Sequence, residues 1–171
     1  WIGTAGTILS VAAALAIMGV AFAGTARHKP TIGVVAALLV FASTTTILGR
    51  DALASVCLEE SRYYCIRVLG FADPDADEAR LMVLDHMGHG INERRDPFTL
   101  HSSYVELTHE IVKRQFDENR NLRSFFIGGG AYTLPRTWAD RFPNGRHTVS
   151  EIDPAVTRAA IDHMWFQIHP S

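Results

Sequence analysis

Three consecutive glycines, Gly128-Gly129-Gly130, follow the apolar run Phe125-Phe126-Ile127 and precede Pro135, a residue suited to the first turn of a helix. Glu151 lies 23 residues after Gly128, and Asp153-Pro154 follows it at once. Glycines let a ligand approach the backbone closely. A helix N-terminus favours negative charge, and an acid about 20 residues on accepts from ribose hydroxyls. The pattern points to a nucleoside pocket in which Gly128, Gly129, Gly130, Glu151 and Asp153 are the binding residues. The complete G-x-G-x-x-G spacing is absent, because Thr133 takes the last glycine position. Asp153 has a second explanation, since Asp followed by Pro is a good N-cap and N1 pair.

The elements that position these residues follow from local pattern. A strand is expected at Phe125 to Ile127, a helix from Pro135 to about Phe142, and a strand from His147 to Ile152. A second helix starts at Pro154, with Ala155, Val156, Ala159, Ala160 and His163 on one face. Strand, helix, strand, helix in this order argues for a parallel sheet. Ahead of it, a helix is expected from about Thr99 to Asn119, with Tyr104, Leu107 and Ile111 on its apolar face. Residues 56–69 and 80–85 read as two strands of an antiparallel hairpin, separated by an acidic turn at 73–78. The glycines and Asn92 between His86 and Pro97 read as a loop, which places His86, His89 and His101 over the pocket. Asp85 reads as a turn acid or a site acid, and Arg136 as an anion contact or a solvated side chain.

Charge is unevenly spread. Residues 1–49 hold two charged side chains, Arg27 and Lys29, and all 18 Asp and Glu lie beyond them. A bilayer core of about 30 Å takes about 20 apolar residues of helix. Residues 2–26 and 31–49 therefore read as two membrane helices joined by Arg27-His28-Lys29-Pro30. The expected setting is multi-pass membrane, with the remainder placed in the cytoplasm, where a nucleotide-type cofactor is found. A net charge of −2 excludes a nucleic-acid surface by composition. Cys57 and Cys65 sit eight apart. In one extended strand that spacing puts them on one face and too far apart to bond, so two free thiols are expected. No Cys/His grouping suggests a metal. The chain begins without Met, inside an apolar run, and stops soon after its second strand–helix unit, so it reads as a piece of a longer protein.

Several landmarks, in order, resemble the spermidine synthase family. They are Glu60 to Val68, Leu84-Asp85, Tyr104-Val105-Glu106, Ile127 to Gly130 and Glu151 to Val156. Leu84 to His89, Asp96-Pro97 and Gly129 to Arg136 resemble more closely the branch in which membrane helices precede a spermidine-synthase-like domain. The resemblance spans residues 59–160. It implies an α/β chain: a membrane hairpin over 1–50, a small antiparallel β-unit over 56–98, and the first half of a Rossmann-like methyltransferase-type sheet over 99–171. It implies aminopropyl transfer from decarboxylated S-adenosylmethionine to a diamine such as putrescine. A homodimer is the expected assembly. By position, Gly128 and Gly130 would line the nucleoside and sulfur, Glu151 would hold the ribose, Tyr104 would face the amine, and His89 would stand where a donor-binding glutamine is usual. The proton-accepting acid of the family lies on a later strand than this chain contains. Two residues depart from the pattern, Ala131 in place of an aspartate and Val105 in place of Gln or His. These departures keep two alternatives open: methyl transfer from S-adenosylmethionine, and non-catalytic sensing of an adenosyl nucleoside.

Overall fold

The computed structural model describes residues 3–23, 55–72, 78–118 and 120–168. The chain divides into two compact units, Trp1–Val56 and Cys57–Ser171.

In the first unit, helix α1 spans Gly3–Ala23. The Ser10 hydroxyl folds back onto the Gly6 carbonyl at 2.8 Å. No helix among the described residues is long and apolar enough to cross a membrane. The expected membrane hairpin is therefore corrected. The first run is a helix without the character of a membrane span, and the second run, 31–49, lies outside the described residues.

The second unit opens with four antiparallel strands in the order β1 (Glu59–Glu60), β2 (Cys65–Phe71), β3 (Ala79–Leu84) and β4 (Met87–Glu93). β2 buries Ile66, and β3 buries the consecutive apolar residues Met82, Val83 and Leu84. The expected single strand over 56–69 is broken at Ser61–Tyr64. The chain reverses there, so that Glu59 pairs with Ile66 and Glu60 with Cys65. The reversal brings the Cys57 and Cys65 Cα atoms to 5.3 Å, and the two are joined in a disulfide. The free-thiol expectation fails because it assumed one straight strand. The expected loop over 88–97 is also corrected: its first half is β4, paired with β3 across a two-residue turn. Asp85 takes φ 54° in that turn. Its carboxylate accepts from the Cys65 amide at 2.9 Å, so Asp85 is a turn acid.

Helix α2 spans Ser103–Gln115. It buries Val105 and His109, while Tyr104, Leu107 and Ile111 stay exposed, the reverse of the expected face. His109 packs toward Phe98, with ring centroids 6.2 Å apart. Two parallel strands follow, β5 (Arg123–Ile127) and β6 (Arg146–Ser150), connected through helix α3 (Thr133–Arg141). Phe126 faces Trp138 of α3 at 5.1 Å between rings. Phe125 and Ile127 point the other way into solvent, so this strand is covered on one face only. Helix α4 (Pro154–His163) starts at the Asp153 cap, whose carboxylate accepts from the Ala155 amide at 2.9 Å. Ala155, Val156, Ala159 and Ala160 of α4 join Ile66, Met82 and Leu84 of the antiparallel sheet in one core. Ala131 and Tyr132 are buried in the same core, which anchors the glycine turn from below.

Candidate functional site

The glycine turn links β5 to α3. Gly128 has φ 84° and Gly130 φ 52°, backbone that side chains rarely adopt. The Gly128 amide donates to the Ser150 carbonyl at 2.8 Å, which ties the end of β5 to the end of β6. No atom stands within 4 Å of where a Gly128 side chain would begin, so this side of the turn is open. Gly129 is constrained differently. A Cβ there would meet the Tyr132 ring at 2.2 Å. Tyr132 takes φ 56° at the cap of α3, stacks on Phe166 at 4.3 Å, and shares a 2.7 Å hydrogen bond with the Thr157 hydroxyl. Burial raises the Tyr132 pKa, the Thr157 bond partly offsets this, and the Glu151 charge raises it further. Tyr132 is therefore a neutral, packed floor beneath the turn.

Glu151 leaves the end of β6 and reaches that turn. Its Oε2 accepts from the Gly129 amide at 2.6 Å, and its Oε1 from the Asp153 amide at 2.9 Å. Both oxygens are oriented, yet an ionised carboxylate has about four acceptor sites, so each keeps capacity for an incoming hydroxyl. Asp153 is 2% exposed. Its Oδ1 caps α4 and its Oδ2 accepts from the Ser61 hydroxyl at 2.5 Å. Asp153 thus supports Glu151 from behind.

His89 reaches the turn from the antiparallel sheet. Met82 pairs with Gly90 and Val83 with Gly88, so His89 is the extra residue of a β-bulge in β4. The bulge turns it onto Gly130: a Cβ on that glycine would lie 3.3 Å from the His89 carbonyl and 3.5 Å from its Cβ. The Tyr64 ring stands 6.5 Å from the imidazole. The three glycines, Glu151, Asp153 and His89 therefore occupy one contiguous region. Tyr104 is apart from that description. It sits at the start of α2 with 69% of its surface exposed.

Three other candidates have structural partners. Arg136 donates to the carbonyls of Glu93 at 2.6 Å and Arg94 at 3.0 Å, which secures α3 to β4. His101 pairs with Glu93 at 3.1 Å and meets the Phe71 ring edge-on. Ala131 is 1% exposed, with its carbonyl accepting from Asn92 Nδ2 at 2.9 Å. It presents no charge to a ligand.

Asn92 and Ser61 escaped the sequence reading. Asn92 is fully enclosed and bonds three partners: the carbonyls of Ala131 and Met164, and the Thr133 hydroxyl. It locks β4, the glycine turn and the end of α4 together. A polar residue amid glycines resembles loop composition, so no local signal marked it. Ser61 falls inside the single strand expected over 56–69, so the turn it occupies had no local signal.

No protein-family model matches the chain, and no curated protein matches it. Among solved structures it is similar to a probable spermidine synthase from Corynebacterium glutamicum ATCC 13032, with 26% sequence identity and a TM-score of 0.54. The likeness covers 66% of this chain and 40% of that one, so the chain spans two fifths of that relative's length. At the level of fold, the chain is like a spermidine synthase, which supports a transferase-type architecture.

Proposed function

We propose that the Cys57–Ser171 unit supplies the donor half of an adenosyl-sulfonium site, for aminopropyl transfer from decarboxylated S-adenosylmethionine to a diamine. The observation that carries this reading is Glu151, held by the Gly129 and Asp153 amides at the mouth of the glycine turn. Two fixed acceptor oxygens suit the two neighbouring hydroxyls of a ribose, and the open side of Gly128 suits the nucleoside beside them.

The chemistry asks little of the protein. An amine nitrogen attacks the carbon next to the sulfonium, the carbon–sulfur bond breaks, and sulfur keeps the electron pair as the thioether of methylthioadenosine. The amine then loses a proton. Binding, alignment and exclusion of water account for the rate, and the neutral Tyr132 floor and His89 shape the walls. The test is incubation of the full-length protein with labelled donor and putrescine, since this chain, without the later strand that carries the family's acid, is expected to be inactive by itself. Release of methylthioadenosine supports the reading, and its absence alongside nucleoside binding refutes aminopropyl transfer.

A second reading is favoured by Ala131. Its methyl side chain supplies no carboxylate after the third glycine to pair with an aminopropyl ammonium. The same nucleoside half then serves S-adenosylmethionine, with methyl transfer and S-adenosylhomocysteine as product. Calorimetric preference for S-adenosylhomocysteine over methylthioadenosine marks this alternative, and binding of either without turnover marks a sensor.

A further inference from the structure

We propose that Ser61 is a positioning residue for the ribose carboxylate and that the Cys57–Cys65 disulfide makes this positioning depend on thiol redox state. The inference rests on the adenosyl reading of the site. Ser61 is the hub of the reversal between β1 and β2. Its oxygen accepts from the Tyr63 amide at 3.0 Å and the Tyr64 amide at 2.9 Å, and its hydroxyl donates to Asp153 at 2.5 Å. Asp153 passes the constraint on through its amide, which donates to Glu151 at 2.9 Å, and Glu151 holds Gly129. One continuous chain of hydrogen bonds thus runs from the reversal to the glycine turn.

Two covalent and ionic ties keep the reversal in place. The disulfide joins Cys57, before β1, to Cys65, the first residue of β2, and so closes the loop that contains Ser61. Arg158 of α4 pairs with Glu59 of β1 at 2.5 Å. β1 is only two residues long, so its own backbone pairing is slight. Opening the disulfide removes the strongest restraint on the loop and lets Ser61 leave Asp153. A small dithiol performs the step: its two thiols supply two electrons and two protons, the S–S bond becomes two cysteine thiols, and the dithiol ends as its own disulfide.

The experiment measures methylthioadenosine binding by calorimetry for the wild type, S61A, S61T and C57S/C65S, each with and without dithiothreitol. Amide exchange of Gly129 is followed without ligand. Oxidised wild type is expected to bind best. S61A should bind about three- to ten-fold more weakly, less than the full loss of a hydrogen bond to an ionised group, because Ser61 acts on the ligand only through Asp153 and Glu151. S61T, which keeps the hydroxyl, should restore binding. Dithiothreitol should impose the same loss on wild type and none on S61A or C57S/C65S. Gly129 exchange should quicken in parallel. Wild-type affinity and exchange in S61A, or an equal effect of dithiothreitol on S61A, overturns the proposal. If no adenosyl ligand binds the oxidised wild type, the adenosyl reading fails, and Gly129 exchange still decides whether Ser61 and the disulfide act on the turn.

Discussion

Replacing Glu151 by Gln tests the centre of the proposed site. The carboxylate accepts two amide protons, at 2.6 and 2.9 Å. A carboxamide has one acceptor oxygen, so Gln satisfies one amide and turns an N–H toward the other. A hydrogen bond to an ionised group contributes about 1.5–3 kcal/mol, and partial solvent access lowers the cost here to about 1–2 kcal/mol. At about 4–8 °C per kcal/mol for a small domain, melting should fall by about 4–16 °C. Binding should suffer more. Losing the paired acceptance of the ribose hydroxyls corresponds to about 2–3 kcal/mol, or about 30- to 150-fold in Kd. Calorimetry with methylthioadenosine and its 2′,3′-dideoxy analogue separates the two effects. Wild type should discriminate strongly between these ligands, and E151Q should discriminate little, giving a coupling of about 2 kcal/mol. If E151Q retains the wild-type ratio, Glu151 does not hold the ribose and the proposed site is wrong.

Substitution at Gly129 should exceed substitution at Gly128 in cost: G129A drives a methyl into the Tyr132 ring, whereas G128A meets open space and bears backbone strain of about 1–2 kcal/mol. In urea titrations, G129A should therefore be the less stable, and adding it to Y132A should cost less than adding it to wild type. N92L should lose about 2–4 kcal/mol, because two buried carbonyls and the Thr133 hydroxyl lose their partner. An unchanged denaturation midpoint would show that Asn92 does not lock the turn. Acid should destabilise the unit through His109 and His147, whose pKa values burial holds below the ordinary 6.5. The unfolded chain binds these protons more readily, so stability is full above pH about 6.5 and declines as pH falls toward the depressed native values. Unfolding free energies at pH 7.5 and 5.5 should differ less in H109Q/H147Q than in wild type.

The legible parts of this chain are those set by neighbours in sequence. An apolar run, glycines, a helix opener and a second run identify β5, the turn, α3 and β6. The Asp153-Pro154 pair marks the start of α4, because a cap needs only its own side chain and the next amides. The place of Glu151 beside the turn is legible for the same reason, as one helix–strand unit separates it from the glycines. β4 was mistaken for a loop, since Gly88, Gly90 and Asn92 have poor strand propensity and the strand exists through pairing with β3. The apolar stripe of α2 likewise has the helical period, but period alone does not say which face meets the rest of the unit.

What the sequence determined alone was therefore the glycine turn and the acid at the end of the next strand, because φ requirements, capping and strand–helix alternation act over a few residues. Tertiary structure decided the remainder. It brought Cys57 to Cys65 by a chain reversal, aimed His89 at Gly130 through a bulge, and set Ser61 behind Asp153 from 92 residues away. Each is a meeting of distant segments, governed by packing and register, which no local pattern encodes.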